Sequence, residues 1–111
     1  MQETIKSASI SRLNDLLRTQ GIGGRVVATL GVQNLNHDTR GKVVEAIRVF
    51  DKFDDDDDPY REHDFGAVEI DGDKFFFKID YYDLSLKFGS EDPSDPKKTT
   101  RVMTIMRAEE Y

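Results

Sequence analysis

The residues best suited to chemistry lie in the stretch VFDKFDDDDDPYREHDFG, which runs from Val49 to Gly66. Five consecutive aspartates are followed by Glu62, His63 and Asp64. Carboxylates beside an imidazole could transfer protons, hold a divalent metal ion or contact a basic partner. Each kind of chemistry requires its own residue types at its own spacing, and these requirements separate the hypotheses.

The spacing of the aspartates excludes a calcium-binding EF-hand. Such a loop needs oxygen ligands at positions 1, 3 and 5, glycine at position 6 and glutamate at position 12. Counted from Asp54, the sixth residue is Pro59 and the twelfth is Phe65, so both requirements fail. A centre of two histidines and one carboxylate would need both histidines of the chain, His37 and His63, to meet. We therefore predict no cofactor and no dedicated metal site.

An alternative hypothesis is an enzyme or a divalent-metal-binding domain built from two segments. Glu62-His63-Asp64 supplies acids and a base, and KIDYYD, from Lys78 to Asp83, adds an amine, carboxylates and phenols. These groups could converge at one end of a β-hairpin. The simpler interpretation is that His63 only forms a hydrogen bond where a strand begins.

Acidic residues are concentrated in the middle of the chain, whose net charge is −6. Residues 51–95 contain sixteen acidic and five basic residues, whereas residues 1–50 and 96–111 are both net basic. Direct binding to DNA or RNA is disfavoured because phosphates would be repelled. The favoured partner is a basic protein surface, and proteins that handle nucleic acids are the obvious class.

We predict a docking surface for that partner on the acidic segment. In an extended segment, alternate carboxylates recur about every 7 Å and can occupy lysine and arginine pockets that normally hold phosphates. Acids of the neighbouring hairpin would widen the surface if the hairpin folds back beside the loop. The simpler interpretation is a solvated loop. The predicted partner-binding residues are Asp51, Asp54, Asp55, Asp56, Asp57, Asp58, Glu62, Asp64, Asp71 and Asp73.

The first half of the chain is predicted to supply two helices and a strand. Apolar residues at helical spacing predict a helix over residues 4–20, and Asn36 is a suitable N-cap for a second helix. The apolar stripe of the second helix consists of Val43, Val44, Ile47 and Phe50. Between the two helices, alternating apolar residues predict a strand, with one face formed by Val26, Ala28, Leu30 and Val32.

The second half is predicted to contain a loop, a hairpin and a third helix. Residues 54–63 must form a loop, since consecutive aspartates and Pro59 suit neither helix nor strand. Asp71-Gly72-Asp73 between two alternating runs predicts a β-hairpin. Asp95-Pro96 is typical of a helix start, so a third helix is predicted over Lys97–Glu110, although RVMTIM is also suited to a strand.

The predicted fold class is α+β: one domain over residues 1–111, in the order α-β-α-β-β-α, with a small, mostly antiparallel sheet packed by helices. The chain has no cysteine, no apolar run of membrane-spanning length and no apolar signal-peptide core. We therefore expect a cytoplasmic protein without a membrane span.

Five motifs, in this order, resemble a bacterial family catalogued as domain of unknown function 3768. They are GGRVVATLGV, FDKFDDDDDPYREHDFG, KIDYYD, GSEDPSDP, and TTRVMTIM followed by EEY. The resemblance extends from Asn14 onward. Two positions depart from the family pattern: residues 53–59 are more acidic than its mixed polar segment, and Phe77 stands where the family often has tryptophan.

The resemblance implies a genetic setting rather than an activity. Such proteins are often encoded on plasmids, prophages and other mobile elements. Small acidic proteins from that setting frequently inhibit CRISPR effectors or restriction enzymes by occupying their nucleic-acid sites, which is an analogy at the level of the family. The expectation is a non-enzymatic inhibitor that acts by nucleic-acid mimicry, as an anti-CRISPR or antirestriction factor.

Overall fold

The computed structural model describes the backbone of residues 2–111 and the side chains of residues 5–111. Among these residues, none of the helices combines the length and the apolar composition that a membrane span requires. The elements, in chain order, are α1 (Gln2–Gln20), β1 (Arg25–Ala28), α2 (Leu30–Gln33), α3 (His37–Arg48), β2 (Phe65–Ile70), β3 (Asp73–Tyr82), β4 (Thr100–Arg107) and a terminal 3-10 turn (Ala108–Glu110).

The four strands form one sheet in the order β1-β4-β3-β2. The pairs β2–β3 and β3–β4 are antiparallel, and β1 lies parallel to β4. The predicted α+β class and the mostly antiparallel sheet are therefore confirmed. Apart from the single turn α2, the predicted element order is also confirmed up to the end of β3.

The β2–β3 hairpin forms as its sequence predicts. Asp71 and Gly72 both have positive φ, 54° and 86°, which is the backbone of a two-residue type I′ turn. The turn sets the register, with Ile70 opposite Asp73 and Phe65 opposite Lys78. That register directs alternate side chains of β3 to opposite faces of the sheet.

The core lies on one face of the sheet, where α3 packs against β2, α2 packs against β4 and β1, and α1 packs against α3. Asn36 caps α3 as predicted, since its side-chain oxygen accepts a hydrogen bond from the Thr39 amide at 2.8 Å. The other face of β3 stays half-buried, with Phe76, Lys78 and Asp80 on it. The buried core residues are Leu17, Val32, Val43, Ile47, Phe75, Phe77, Ile79, Met103 and Ile105.

The predicted third helix over Lys97–Glu110 is wrong, because most of this segment is strand β4. Asp95 does accept a hydrogen bond from the Lys97 amide, at 2.9 Å, but the turn it forms stops there. β4 then fills the centre of the sheet and pairs with both β1 and β3. Its β-branched residues favour that position, and two ladders of hydrogen bonds outweigh a local capping signal.

The predicted first strand is also too long, since β1 ends at Ala28 and residues 30–33 form the single turn α2. The cause is a long-range contact with the end of the chain. Glu110 accepts hydrogen bonds from the Thr29 hydroxyl at 2.7 Å and from the Gly31 amide at 3.0 Å. A carboxylate at the start of a helix satisfies its free amides, so the chain turns there.

Gly66 in β2 permits the close approach of two aromatic rings. A Cβ at this position would lie 2.7 Å from a ring carbon of Phe50 and even closer to the ring of Phe77. We expect Gly66→Ala to lower the free energy of unfolding by about 1–3 kcal/mol, as overpacking usually does. Urea denaturation followed by circular dichroism would measure it.

Gly41→Ala is the matched control for that substitution. Gly41 lies within α3, and a Cβ there meets no atom within 4 Å. Alanine should therefore raise stability by about 0.5–1 kcal/mol through helix propensity. An unfolding midpoint for Gly66→Ala equal to or above that of the wild type would contradict the close packing of Phe50 and Phe77.

Candidate functional site

The acidic loop, residues 49–64, joins α3 to β2 and contains no helix or strand, as predicted for residues 54–63. Two phenylalanines fasten its first part to the core. Phe50 and Phe53 pack edge to face with ring centroids 4.9 Å apart, and they lie 5.5 and 6.3 Å from the ring of Phe77. Both rings therefore anchor the start of the loop to the core.

Arg18 of α1 fixes the point at which the acidic loop leaves α3. Its Nη1 donates to the carbonyls of Ile47, Arg48 and Phe50 at 3.2, 3.1 and 2.8 Å. The free carbonyls at a helix end carry partial negative charge, so a cation there satisfies and stabilises them. The guanidinium also lies over the Phe53 ring, 5.3 Å from its centroid.

Asp58 is buried, with only 3% of its surface exposed. Its Oδ1 accepts hydrogen bonds from the Glu62 and His63 amides at 2.9 and 3.0 Å, and its own amide donates to the Asp54 carbonyl at 2.8 Å. A carboxylate that accepts backbone amides makes strong hydrogen bonds. Asp58 was predicted to contact a partner, whereas the structure places its carboxylate inside the loop.

Asp54, Asp55, Asp56 and Asp57 form an exposed turn, which we call the acidic turn. The turn is closed by the Asp54 side chain, which accepts a hydrogen bond from the Asp57 amide at 2.8 Å. The segment is therefore not extended, and the expected spacing of about 7 Å between alternate carboxylates does not apply to it. Asp51, before the turn, is also exposed.

His63 ties the acidic loop to α1. Its ring stacks on Phe53 with centroids 4.0 Å apart, and its Nδ1 lies 2.9 Å from Oδ1 of Asp15. His63 has a φ of 59° and Arg61 a φ of 57°, a conformation uncommon for residues with a Cβ. Hydrogen bonding where the strand begins is what the simpler interpretation of His63 predicted.

A buried polar network lies beneath the loop. Asn14 of α1, which is fully buried, donates to the Glu62 carbonyl at 3.0 Å and to the Tyr81 hydroxyl at 2.8 Å. The Tyr81 hydroxyl in turn donates to Glu62 Oε1 at 2.8 Å. The Asn14 oxygen accepts from Nε of Arg101 at 2.6 Å. Sequence reasoning missed Asn14 and Arg101. The one sequence feature that could have indicated them is that each is a polar residue on the apolar side of its element, α1 and β4.

Burial sets the protonation of two groups in this region. Desolvation raises the pKa of Tyr81 above its usual range, so its phenol stays protonated and donates to Glu62. Desolvation, followed by the negative charge of Glu62, raises the pKa of Asp64 to about 6. Tyr81 is therefore a structural donor, and Asp64 is a carboxylate that lacks a compensating cation.

The two acids of the hairpin turn lie far from the acidic loop. Six residues of β2 separate Asp64 from Asp71, a distance of about 20 Å at the usual rise per residue. Asp71 pairs with Lys42 at 3.6 Å, and Asp73 pairs with Arg107 at 3.3 Å. The hairpin does not fold back beside the loop, so these two aspartates do not widen its surface.

The groups of the alternative hypothesis lie in three places, one of which, beside β3, brings Asp64 together with Lys78 and Asp80. Glu62 and Tyr81 belong to the buried network, whereas Lys78 and Asp80 pair at 3.2 Å on the half-buried face of β3. Asp83 binds the Ser85 hydroxyl and the turn after β3, and these hydrogen bonds lower its pKa. Within residues 5–111, no group of three or more histidine or carboxylate side chains is placed to hold a metal ion.

We expect Asp58→Ala to destabilise the protein by about 1–3 kcal/mol, because it leaves two amides of the loop without an acceptor. The exposed Asp56→Ala is the control and should change stability by less than about 0.5 kcal/mol. Urea denaturation would measure both. Hydrogen exchange at the Glu62 and His63 amides should accelerate only in Asp58→Ala, and unchanged protection there would contradict the anchoring role.

Asp64 should make stability depend on pH. Its folded-state pKa of about 6 lies above its unfolded value of about 3.9, so its contribution is complete below pH about 4 and is lost as the pH rises through about 6. Asp64→Asn should therefore gain thermal stability relative to the wild type as the pH rises from about 4 to about 7.

Thermal denaturation across that pH range would measure the effect of Asp64→Asn. Asp56→Asn, which removes one exposed charge from the same loop, is the control. A difference between the melting temperatures of Asp64→Asn and the wild type that stays constant with pH would contradict the raised pKa of Asp64.

Comparisons with known proteins identify a family without an assigned activity. No curated protein and no solved structure matches the chain. The family described as "Protein of unknown function (DUF3768)" matches residues 28–110, which include the acidic loop, the hairpin and β4 but leave α1 outside the match. The match therefore begins later than the resemblance from Asn14 suggested. The chain belongs to the DUF3768 family of proteins of unknown function.

Proposed function

We propose that this protein is a non-enzymatic inhibitor that binds the basic surface of a protein that handles nucleic acids. The observation that carries the proposal is the acidic turn, in which four consecutive exposed carboxylates are followed by the buried Asp58. Asp58 joins the turn to the end of the loop, because its amide donates to the Asp54 carbonyl and its carboxylate accepts from the Glu62 and His63 amides. A solvated loop would need no such support. An acidic surface with a fixed shape is instead suited to a partner of complementary charge.

The local charge supports a basic partner. Residues 51–64 contain eight acidic and two basic residues, so this one loop carries a charge as large as that of the whole chain. One of the two basic residues, Arg61, lies 3.7 Å from Asp55, but both side chains are at least 80% exposed. Exposed pairs of this kind are weak, so they leave the carboxylates available to another partner.

The support beneath the turn favours binding over simple solubility. Asp58, the stack of Phe53 on His63, and Arg18 restrict the backbone on which the acidic turn is carried. A surface that is already ordered loses less conformational entropy when it binds. The turn would therefore present its carboxylates to arginine and lysine pockets that otherwise hold phosphates.

We propose competition with DNA or RNA as the mechanism of inhibition. A protein that occupies a phosphate-binding surface excludes the nucleic acid from it, and electrostatic attraction accelerates the encounter. The partner class that fits the expectation from the family is a CRISPR effector or a restriction enzyme. This function requires no catalytic residue of the inhibitor.

The test compares the wild type with Asp54→Asn, Asp55→Asn, Asp56→Asn and Asp57→Asn combined. Each protein is immobilised and exposed to a bacterial lysate at about 50 mM and about 500 mM salt, since screening weakens charge-based contacts. We expect the wild type to retain basic nucleic-acid-binding proteins only at low salt and to release them to added DNA. The quadruple variant should lose them, as mass spectrometry would show.

The matched control removes four exposed charges elsewhere: Glu69→Gln, Asp71→Asn, Asp73→Asn and Glu91→Gln. This variant has the same net charge as the loop variant but keeps the acidic turn. It should capture the same proteins as the wild type. Equal capture by both quadruple variants would contradict a role for the acidic turn.

A further inference from the structure

An open groove separates the acidic turn from the half-buried face of the sheet. It has a volume of about 570 Å³ and runs along the start of β2 and the middle of β3. We call it the aromatic groove. It is lined by Asp56, Asp57, Pro59, Tyr60, Asp64, Phe65, Phe76, Lys78, Ile79, Asp80 and Tyr111.

Aromatic rings form one wall of the aromatic groove. Phe65, Phe76 and Tyr111 make a cluster with ring centroids 5.0, 5.7 and 6.0 Å apart. Tyr60 stands on the loop side and is 74% exposed, and Tyr111 is 76% exposed. Exposed aromatic residues gathered in a concave surface are typical of a binding site.

Four carboxylates also line the groove, where they outnumber its single cation, Lys78. Lys78 is held by Asp80 at 3.2 Å, and across the described chain Asp56, Asp57 and Asp64 take part in no ion pair. Asp64 is half-buried there, and desolvation together with the negative charge of Glu62 raises its pKa to about 6. An apolar ligand would bury these carboxylates at a further cost, and a nucleic acid would be repelled by them.

We infer that the aromatic groove receives an arginine side chain of a basic partner protein. This inference rests on the proposed function and names the side chain that the acidic loop would help to recruit. A guanidinium is planar, so it can stack on Tyr60 or Phe76 while it donates two hydrogen bonds to a carboxylate such as Asp64. Lysine lacks both the plane and the paired donors, so the geometry favours arginine.

The probe for this inference is acetylated hexaarginine amide, titrated into ¹⁵N-labelled protein at low salt and followed by NMR. A hexalysine peptide of the same design keeps the positive charge but lacks the planar group. A hexacitrulline peptide keeps the planar group but is neutral. We expect the largest shifts at the amides of Tyr60, Asp64, Phe65 and Phe76 with hexaarginine. Hexalysine should shift them less, and the neutral hexacitrulline should not shift them.

Two variants each remove one contact that the groove would make with an arginine, either the ring of Tyr60 or the carboxylate of Asp64. Tyr60→Ala should weaken binding of hexaarginine by about two- to fivefold, the range expected for an exposed cation–π contact. Asp64→Asn should weaken it by up to about fivefold, because it removes the charge that pairs with the guanidinium. Phe88→Ala is the matched control, because Phe88 is 72% exposed and lies outside the groove lining. It should bind hexaarginine as the wild type does.

The outcomes separate this inference from the proposed function. Shifts confined to the amides of residues 54–57 would overturn the arginine groove while the acidic turn kept its proposed role. Equal affinities for hexaarginine and hexalysine would overturn the arginine preference. If neither hexaarginine nor hexalysine shifts the amide of any described residue, both the arginine groove and the proposed function are overturned.

Discussion

The burial of Arg101 in the central strand is the constraint on which the rest of the structure depends. Only 1% of this residue is exposed, and burial lowers its pKa because a guanidinium loses water there. A buried cation is tolerated only where hydrogen bonds replace the lost water. Asn14 accepts from its Nε, the Pro93 carbonyl accepts from its Nη2, and its guanidinium lies over the Tyr81 ring. The cation therefore fixes α1, the segment before β4 and the end of β3 relative to one another.

The same network reaches the acidic loop from below. Asn14 holds the Glu62 carbonyl and Tyr81 holds the Glu62 carboxylate, so the loop returns to the sheet at a defined point. Arg18, one helical turn after Asn14, holds the other end of the loop through the last carbonyls of α3. One face of α1 thus fastens both ends of the loop. The acidic turn is exposed, but the residues that fix the loop around it, Asn14, Arg18 and Asp58, are buried.

The way the fold distributes its carboxylates explains why so much charge is tolerated in one short loop. Adjacent carboxylates repel by roughly 1 kcal/mol per close pair even in water. The fold places Asp58 against two amides, leaves residues 54–57 in solvent, and separates Asp71 and Asp73 at the far end of β2. Asp64 stays half-buried in the aromatic groove and forms no ion pair with a described residue, and burial raises its pKa.

The sequence by itself determined the elements whose signals are local: α1, the Asn36 cap of α3, the loop at residues 54–63 and the Asp71-Gly72 hairpin. Each depends on neighbours within a few residues, so spacing and turn chemistry suffice. Tertiary structure alone decided that residues 100–107 are a central strand, that Asp58 is buried, and that the predicted acids do not share one surface. Those outcomes depend on contacts such as Arg101 with Asn14, which are 87 residues apart, and no local pattern encodes them.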